Sequence, residues 1–407
     1  MRQVSALKKG PRISQAEGIT GFPAVRKFCL AVLLGAAWVF AQEAKDPFSL
    51  GREQDVAARP MALGGSYTGV ASDLTALFYN PAGLSAVKRH EWLLSVERTG
   101  LQSTGRMPGF ASRTLDQEQG RIQSFGYLMP VPTTRGGLTF AFGFYRPRTF
   151  SDLISFQDGK SATNGDYRYE AEGSVNHYRA GMGLDLAPDV TLGLALGYVG
   201  GAESIRIKDS GEVGYLRTYH GFDVEPALMF KITPRLRLGA SLVIWERIHD
   251  LEEVYEVRDV GNDEANYRVR NPFQVKLGLA YHGNSFLVAA DYKNNNWSEY
   301  RYAASDAEIM EKADYRNENI LSVGGERYLG VLNTVVRGGY TYNTLPERSF
   351  EAAYDLNRFS VGLGFLFSGS ISLDAAYSFA FWELKDAEGL YLENREHRFL
   401  LTWAYRY

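Results

Sequence analysis

The sequence predicts an all-β fold: a closed transmembrane β-barrel of 14 antiparallel strands with a short N-terminal hatch inside its lumen. Three observations support this prediction. Apolar and polar residues alternate with a period of two over most of the chain, as in strands that have one apolar face. The connections between these segments alternate between short turns and long loops, as in outer-membrane barrels. The last residues of the chain are strongly aromatic.

Composition excludes several other classes of protein. The 407 residues contain 44 Lys and Arg against 47 Asp and Glu, without the basic excess of a nucleic-acid-binding protein. A single Cys argues against a disulfide scaffold or a cysteine-based metal site. With 45% hydrophobic residues the chain is not disordered, and its 42 glycines and 13% aromatic residues need a structural explanation.

The N-terminus has the features of a secretory signal. Arg26 and Lys27 precede an unbroken apolar run from Phe28 to Ala41, which is shorter than the roughly 20 residues of a membrane-spanning helix. A buried N-terminal helix is the alternative. We predict cleavage after Ala41, which gives a leader and signal peptide at 1–41, a hatch at 42–88 and an outer membrane barrel at 89–407.

Strands are predicted wherever bulky apolar residues recur at every second position. At the C-terminus, Phe399, Leu401, Trp403, Tyr405 and Tyr407 share one face. The 14 predicted strands lie near 89–100, 120–130, 136–146, 173–187, 189–200, 215–232, 235–247, 270–282, 285–293, 316–328, 331–343, 355–368, 370–383 and 395–407.

A soluble β-sandwich also alternates, so the links decide between the two folds. Short turns, such as Thr233-Pro234 and Gly283-Asn284, alternate with long polar links. The long links are 101–119, 147–172, 201–214, 248–269, 294–315, 344–354 and 384–394. Lipid offers no hydrogen bonds to a strand edge, so a sheet in a bilayer must close. We expect five charged residues on the lumen face: Arg237, Lys276, Asp291, Arg337 and Asp374. Interfacial aromatic girdles are expected at Tyr198, Trp245, Tyr281, Tyr292 and Trp403.

The segment 42–88 lacks this alternation and contains two specific strings, Ala62-Leu63-Gly64-Gly65-Ser66-Tyr67 and Ala71 to Leu84. Ser72 can cap a short helix from Asp73 to Tyr79, and Asn80-Pro81 must end it, because a residue before proline is disfavoured in the helical region. Gly64-Gly65 permits a positive φ or a close backbone approach.

These strings resemble the FadL/TodX family of outer membrane transport proteins, and equally the related PorV/PorQ group. The match covers about residues 60–88. The resemblance implies that hydrophobic molecules pass a hatch-gated barrel and leave sideways through a break in its wall. It also implies that Asn80, Pro81 and Ala82 pack against that break. The implied hatch and gating residues are Gly64, Gly65, Asp73, Asn80, Pro81, Ala82 and Gly83.

Two functions follow from the resemblance. The first is an outer membrane channel for passive uptake of hydrophobic small molecules, whether fatty-acid-like or otherwise lipophilic. The second is a PorV-like barrel that binds protein partners in secretion or surface anchoring. The second stays open because the long links are polar, with Asp259, Asn262, Asp263 and Glu264 in one of them and Asn294, Asn295, Asn296, Glu299, Asp306 and Glu308 in another, whereas FadL-type capture uses apolar loops.

No catalytic motif or cofactor site is predicted. The six His residues are scattered singly, and Gly159-Lys160-Ser161 lacks the first glycine of a phosphate-binding loop because Ile154 stands there. We therefore expect no enzyme, no metal and no cofactor. The expected partners are outer membrane lipid, a hydrophobic small-molecule ligand and secreted or surface proteins, but no nucleic acid. The barrel assembly machinery would recognise the C-terminal Phe399, Trp403, Tyr405 and Tyr407.

Overall fold

The computed structural model describes residues 50–407 apart from 158–165, 209–211, 246–247, 258–260, 305–306, 308, 331–332, 348–350, 368 and 386–388. The predicted signal peptide and the loop residues Asp259, Asp306 and Glu308 lie outside the described residues, as do the side chains of Trp245, Asn262, Asp263 and Glu264. No helix in the described part of the chain is long and apolar enough to cross a membrane.

The described residues form one sheet. Its strands are β1 (Arg52–Glu53), β2 (Glu91–Arg106), β3 (Arg113–Val131), β4 (Leu138–Gln157), β5 (Asp166–Ala187), β6 (Val190–Lys208), β7 (Glu212–Lys231), β8 (Leu236–Trp245), β9 (Ile248–Val257), β10 (Gly261–Arg270), β11 (Gln274–His282), β12 (Phe286–Asn295), β13 (Arg301–Ala304), β14 (Glu311–Lys312), β15 (Glu318–Tyr328), β16 (Thr334–Asn343), β17 (Glu351–Phe367), β18 (Ile371–Lys385) and β19 (Tyr391–Arg406).

Fourteen of these strands close a barrel. Antiparallel pairing runs from β2 to β8 in sequence order, continues through β11, β12 and β15 to β19, and returns to β2. β9 pairs with β7 and β10, and β10 pairs with β13, so these short strands extend one end of the barrel. The predicted fold and strand number are confirmed.

Several links predicted as long loops are mostly strand. β2 continues to Arg106 and β3 begins at Arg113, so the predicted link 101–119 shrinks to a six-residue connection, 107–112. The predicted link 147–172 is likewise strand as far as Gln157 and again from Asp166. Outside a membrane both faces of a strand contact water, so polar residues occupy both faces and the sequence shows no alternation there. Sequence alternation therefore located the membrane part of each strand and missed its extension.

The outer surface carries a continuous apolar belt. On β19, Phe399, Leu401 and Trp403 are 57%, 44% and 40% exposed, whereas the intervening Leu400, Thr402 and Ala404 are buried. Tyr198, Tyr281 and Tyr292 are exposed on the outer surface as expected for girdle residues. The hydroxyl of Tyr198 is hydrogen-bonded to Nδ1 of His220 at 2.6 Å. An exposed belt of this kind is stable in lipid and not in water.

The residues on the lumen face of the strands are small or polar, and a segment of the chain before the barrel fills the lumen. We call residues 50–88 the lumen segment; it contains α1 (Ala58–Ala62), α2 (Ala76–Tyr79) and a 3₁₀-helix (Pro81–Ala86). Its backbone bonds to side chains on strands that are well separated in the barrel. Ala58 N donates to Thr402 Oγ1 on β19 at 2.8 Å, and Thr68 N donates to Asp291 Oδ2 on β12 at 2.7 Å.

Glycines in the wall make room for this segment. A Cβ added at Gly193 would lie 2.0 Å from Ala82 N, and one at Gly339 would lie 2.2 Å from Gly64 N. Gly239 and Gly324 are equally close to Thr68 O and Leu63 O, at 2.1 and 2.2 Å. No side chain fits at such distances, so part of the glycine excess is explained by the backbone of the lumen segment lying directly on the wall.

Candidate functional site

The end of α2 is a candidate functional site because the most specific sequence string meets the wall there. The helix is shorter than predicted and begins at Ala76. The side chain that accepts a backbone hydrogen bond near the start of the helix is Asp73 and not the predicted Ser72. Asp73 Oδ1 accepts from Thr75 N at 3.0 Å. The end is as predicted, because Tyr79 is the last helical residue and Asn80 is extended, with φ −163°.

Asn80 joins three parts of the structure. Its amide Nδ2 donates to Thr68 O at 2.8 Å, within the lumen segment, and to Leu228 O at 3.2 Å, on β7. Its Oδ1 accepts from Ala82 N at 3.1 Å and so caps the 3₁₀-helix that Pro81 begins. The side chain is fully buried. Only an amide supplies two donors and an acceptor in this space, which explains asparagine here.

The predicted glycines have distinct structural roles. Gly64 and Gly65 have φ of +64° and +78°, in the region that favours glycine. A Cβ on Gly64 would also lie 2.7 Å from Tyr340 N, so both predicted reasons for glycine apply. Gly83 is required by a close approach alone, since its Cβ would lie 2.2 Å from Ala71 O.

Asp73 belongs to a different cluster from Asn80. Its Oδ2 accepts from the hydroxyl of Tyr67 at 2.5 Å and lies 3.7 Å from Arg59 Nη1. Arg59 in turn bonds Glu326 of the wall at 2.7 Å. The structure thus brings Asn80, Pro81, Ala82 and Gly83 together, while Gly64 and Gly65 contact β15 and β16 elsewhere in the lumen.

A buried charge network holds the C-terminal end of α2. Lys276 Nζ donates to Phe78 O at 2.8 Å, and Arg179 Nη1 donates to Leu77 O at 3.4 Å. Arg179 pairs with Asp223 at 2.9 Å and Glu225 at 2.6 Å, and Lys276 pairs with Glu225 at 2.9 Å. Cations suit the carbonyl end of a helix. Sequence analysis placed Lys276 on the lumen face and missed Arg179, Asp223 and Glu225, although all three share the face opposite the apolar one on their strands.

A second cluster holds the beginning of the lumen segment. Lys293 Nζ lies 3.2 Å from Glu53 Oε1, and Arg148 Nη2 lies 3.9 Å from Glu53 Oε2. Glu53 belongs to the lumen segment and to no barrel strand. Burial by itself would raise the pKa of Glu53, but the charges of Lys293 and Arg148 lower it to about 2. A polar cavity of about 20 Å³, room for about one water molecule, adjoins Glu53, Gly64 and Gly65.

The wall is interrupted between β3 and β4. In the described residues their pairing runs only from Ser124 and Tyr145 to Val131 and Leu138. Beyond it β3 stays on β2 and β4 stays on β5, and β1 of the lumen segment pairs with β4 at Arg148 and Thr149. Gln123 Nε2 bridges the gap by donating to Arg146 O at 2.7 Å and Asp55 O at 3.0 Å.

The Asn80 string does not lie at this interruption. Pro81 and Ala82 contact β6 at Gly193, and Asn80 contacts β7 at Leu228 and β8 at Gly239. The packing of Asn80, Pro81 and Ala82 against a break in the wall therefore stays a prediction. The glycines that admit the backbone of this string, Gly183 and Gly193, lie on β5 and β6.

Comparison with known proteins yields structural neighbours. No protein-family model and no curated protein sequence matches the chain. A Pseudomonas aeruginosa FadL homologue superposes with a TM-score of 0.67 at 14% identity, covering 87% of this chain and 99% of that one. The Pseudomonas putida toluene transporter TodX superposes with a TM-score of 0.66 at 16% identity, covering 88% of this chain and 99% of that one. This chain has the FadL-type barrel fold.

The CymD monoaromatic hydrocarbon channel shares the FadL-type fold with a TM-score of 0.57 at 14% identity, covering 86% of this chain and 97% of that one. The predicted resemblance to FadL and TodX is confirmed at the level of fold. These neighbours are named as transporters and channels. Resemblance to the PorV/PorQ group stays a prediction.

Proposed function

We propose that this protein is an outer membrane channel for passive uptake of hydrophobic small molecules, with the lumen segment acting as its hatch. The observation that carries the proposal is an apolar cluster that joins the lumen segment to the paired part of β3 and β4, next to the interruption in the wall. Leu74 and Leu77 of the segment pack in one buried cluster with Leu93, Leu128 and Ala141 on β2, β3 and β4. A hydrophobic ligand moving from hatch to wall would stay in contact with apolar atoms.

The hatch would open by breaking its contacts with the barrel wall. Most bonds between the lumen segment and the wall are single hydrogen bonds and ion pairs, each with a net strength of about 1 kcal/mol or somewhat more. The backbone pairing of β1 with β4 is only two residues long. Such contacts can be broken one at a time, whereas the barrel ladders cannot.

The neighbours named for toluene and monoaromatic hydrocarbons support uptake of small lipophilic compounds, and fatty-acid-like ligands remain part of the proposal. The apolar belt and the FadL-type fold support an outer membrane location after export with a cleaved signal peptide. The exposed aromatic C-terminus, which includes Phe399, Trp403 and Tyr407, would be the sequence read by the barrel assembly machinery.

A reversible lock on the hatch tests the function. Ala58→Cys and Thr402→Cys together introduce two thiols into neighbouring residues, since Ala58 N donates to Thr402 Oγ1 at 2.8 Å. The only other cysteine of the chain is Cys29, in the predicted signal peptide. We expect oxidised cells to take up radiolabelled toluene or a labelled fatty acid at the rate of cells without the gene. A reducing agent should restore the wild-type rate.

Each single cysteine variant is the matched control and should take up ligand at the wild-type rate under both conditions. Equal uptake with and without the gene, over a panel of aromatic and aliphatic compounds, would contradict the channel function. Unchanged uptake in the oxidised double variant would contradict the hatch.

A second candidate function is the binding of protein partners in secretion or surface anchoring. It is favoured by exposed ion pairs at and beyond the edge of the apolar belt, where Arg98 pairs with Glu118 at 2.6 Å and Arg395 with Glu393 at 2.6 Å. Co-purification of surface proteins with the wild-type barrel, lost when residues 107–112 are replaced by a short Gly-Ser turn, would support this function.

A further inference from the structure

The side chain of Phe78 occupies a closed compartment in the lumen that is built to hold an aromatic ring. Arg179 Cζ lies 5.5 Å and Lys276 Nζ lies 5.1 Å from the ring centroid, within the range of cation–π attraction. The ring of Tyr145 stacks against it with centroids 5.9 Å apart, and His177 meets it edge-on at 6.5 Å. We call these four residues, Tyr145, His177, Arg179 and Lys276, the Phe78 cage.

The cage belongs to the wall, and its occupant belongs to the segment proposed to move. Tyr145 lies on β4, His177 and Arg179 on β5, and Lys276 on β11. Phe78 lies in α2, one residue before the end of that helix. Displacement of α2 would therefore remove the Phe78 ring and leave the four cage residues in the wall around a cavity the size of one aromatic ring.

The same cations also bind carbonyl oxygens of the occupant. Lys276 donates to Phe78 O at 2.8 Å while its ammonium faces the Phe78 ring, and Arg179 donates to Leu77 O while facing the same ring. The cage therefore recognises two features together: a π face and a carbonyl oxygen beside it.

The charge balance around the cage determines whether a neutral or a charged ligand can bind there. Arg179 and Lys276 are matched by Asp223 and Glu225, which are fully buried or nearly so. A carboxylate entering here would bring an uncompensated negative charge into a buried site, at a large desolvation cost. A neutral carbonyl group would bring none.

We propose that the Phe78 cage is a ligand site for neutral single-ring aromatic compounds with a carbonyl group two carbons away from the ring, the spacing in Phe78 itself, and that Phe78 is its built-in competitor. A ligand that replaces the Phe78 ring also replaces the carbonyl contacts that hold the end of α2. Binding would thereby release the helix next to Asn80 and favour displacement of the hatch. This inference rests on the proposed uptake function and adds to it a ligand class and a site.

Binding to the purified full-length barrel tests the inference. Phe78→Leu keeps an apolar side chain of similar bulk and removes the π face, so it weakens the competitor. We expect 4-phenylbutan-2-one to bind this variant about tenfold more tightly than the wild type, the size of a cation–π preference of ordinary strength. Leu84→Met is the matched control, because it changes a fully buried residue of the lumen segment outside the cage and nearly conserves its volume, and its affinity should equal that of the wild type.

Three further ligands separate the features of the site. On Phe78→Leu, 4-cyclohexylbutan-2-one lacks the π face, butylbenzene lacks the carbonyl group and 3-phenylpropanoate adds a charge. Each should bind at least about fivefold more weakly than 4-phenylbutan-2-one. Adding Lys276→Met should reduce the preference for 4-phenylbutan-2-one over the two neutral ligands, because only Arg179 then faces the ring and the carbonyl oxygen. If that variant fails to fold, the comparison of Phe78→Leu with Leu84→Met still decides.

Equal affinities in Phe78→Leu and Leu84→Met, or equal binding of 4-phenylbutan-2-one and 4-cyclohexylbutan-2-one, would overturn the proposal. So would tighter binding of 3-phenylpropanoate than of 4-phenylbutan-2-one. The outcome is separable from that of the uptake experiment. Uptake of toluene without binding at the cage removes only the ligand site, whereas binding at the cage without uptake removes only the channel function.

Discussion

Replacing Asn80 by alanine tests whether one side chain keeps the lumen closed. The change removes the three hydrogen bonds that Asn80 makes to Thr68 O, Leu228 O and Ala82 N. Each bond has a net strength of about 1 kcal/mol, and the carbonyl oxygens left behind are buried. The bonds to Thr68 O and Ala82 N lie within the lumen segment and would move with it, so the effect on displacement comes from the Leu228 bond. Its loss, about 1 kcal/mol, increases the equilibrium constant for displacement of the hatch by about fivefold. The barrel ladders are untouched, so the barrel itself should remain folded.

The measurement is permeability to small sugars in a liposome-swelling assay, with folding checked by heat-modifiable migration on a gel. We expect swelling to be faster for Asn80→Ala, and faster still when Pro81→Ala is added. The control is Asn357→Ala, since Asn357 bonds Tyr340 and Asp355 within the wall and makes no bond to the lumen segment in the described structure. Wild-type swelling in Asn80→Ala, or equal acceleration in Asn357→Ala, would refute the reasoning.

Two more predictions concern the wall and the pH. Gly193→Val should displace the hatch and speed swelling, because its Cβ would lie 2.0 Å from Ala82 N. Gly100→Val should leave swelling unchanged, because nothing lies within 4 Å of its Cβ. Since the pKa of Glu53 falls from 4.5 to about 2 on folding, its ion pair stabilises the hatch above pH 4.5, and this contribution is lost as pH falls through about 2. The stabilisation amounts to about 3 kcal/mol. Bilayer conductance should therefore rise between pH 4.5 and 2 in the wild type. In Glu53→Gln it should already be high at pH 7 and change less with pH, and identical pH profiles of the two proteins would contradict this.

The fold was accessible from sequence because every spanning strand obeys the same local rule. Residues such as Phe399, Leu401 and Trp403 must face lipid while Thr402 and Ala404 face inward, so a period of two appears in the sequence whatever the neighbouring strand is. Strand ends beyond the membrane were missed, as in β3 from Arg113 onward, because water on both faces imposes no such pattern.

Local chain geometry also let the sequence determine part of the site. Asn80-Pro81 ends α2, and Gly64-Gly65 takes positive φ, because proline and glycine restrict or widen the backbone of their own residues. The bonds of Asn80 to Leu228, of Lys276 to Phe78 O and of Arg179 to Glu225 join residues 46 to 198 positions apart. No local pattern records such pairs.

The sequence by itself determined that this chain is a barrel of 14 strands with a non-repeating segment before it, because burial in lipid acts on each strand separately. Only the tertiary structure decided where that segment lies on the wall, which charges neutralise each other around Phe78, and where the pairing of β3 and β4 stops. Those features depend on which strands are adjacent and on which glycines leave space, and closure of the barrel sets both.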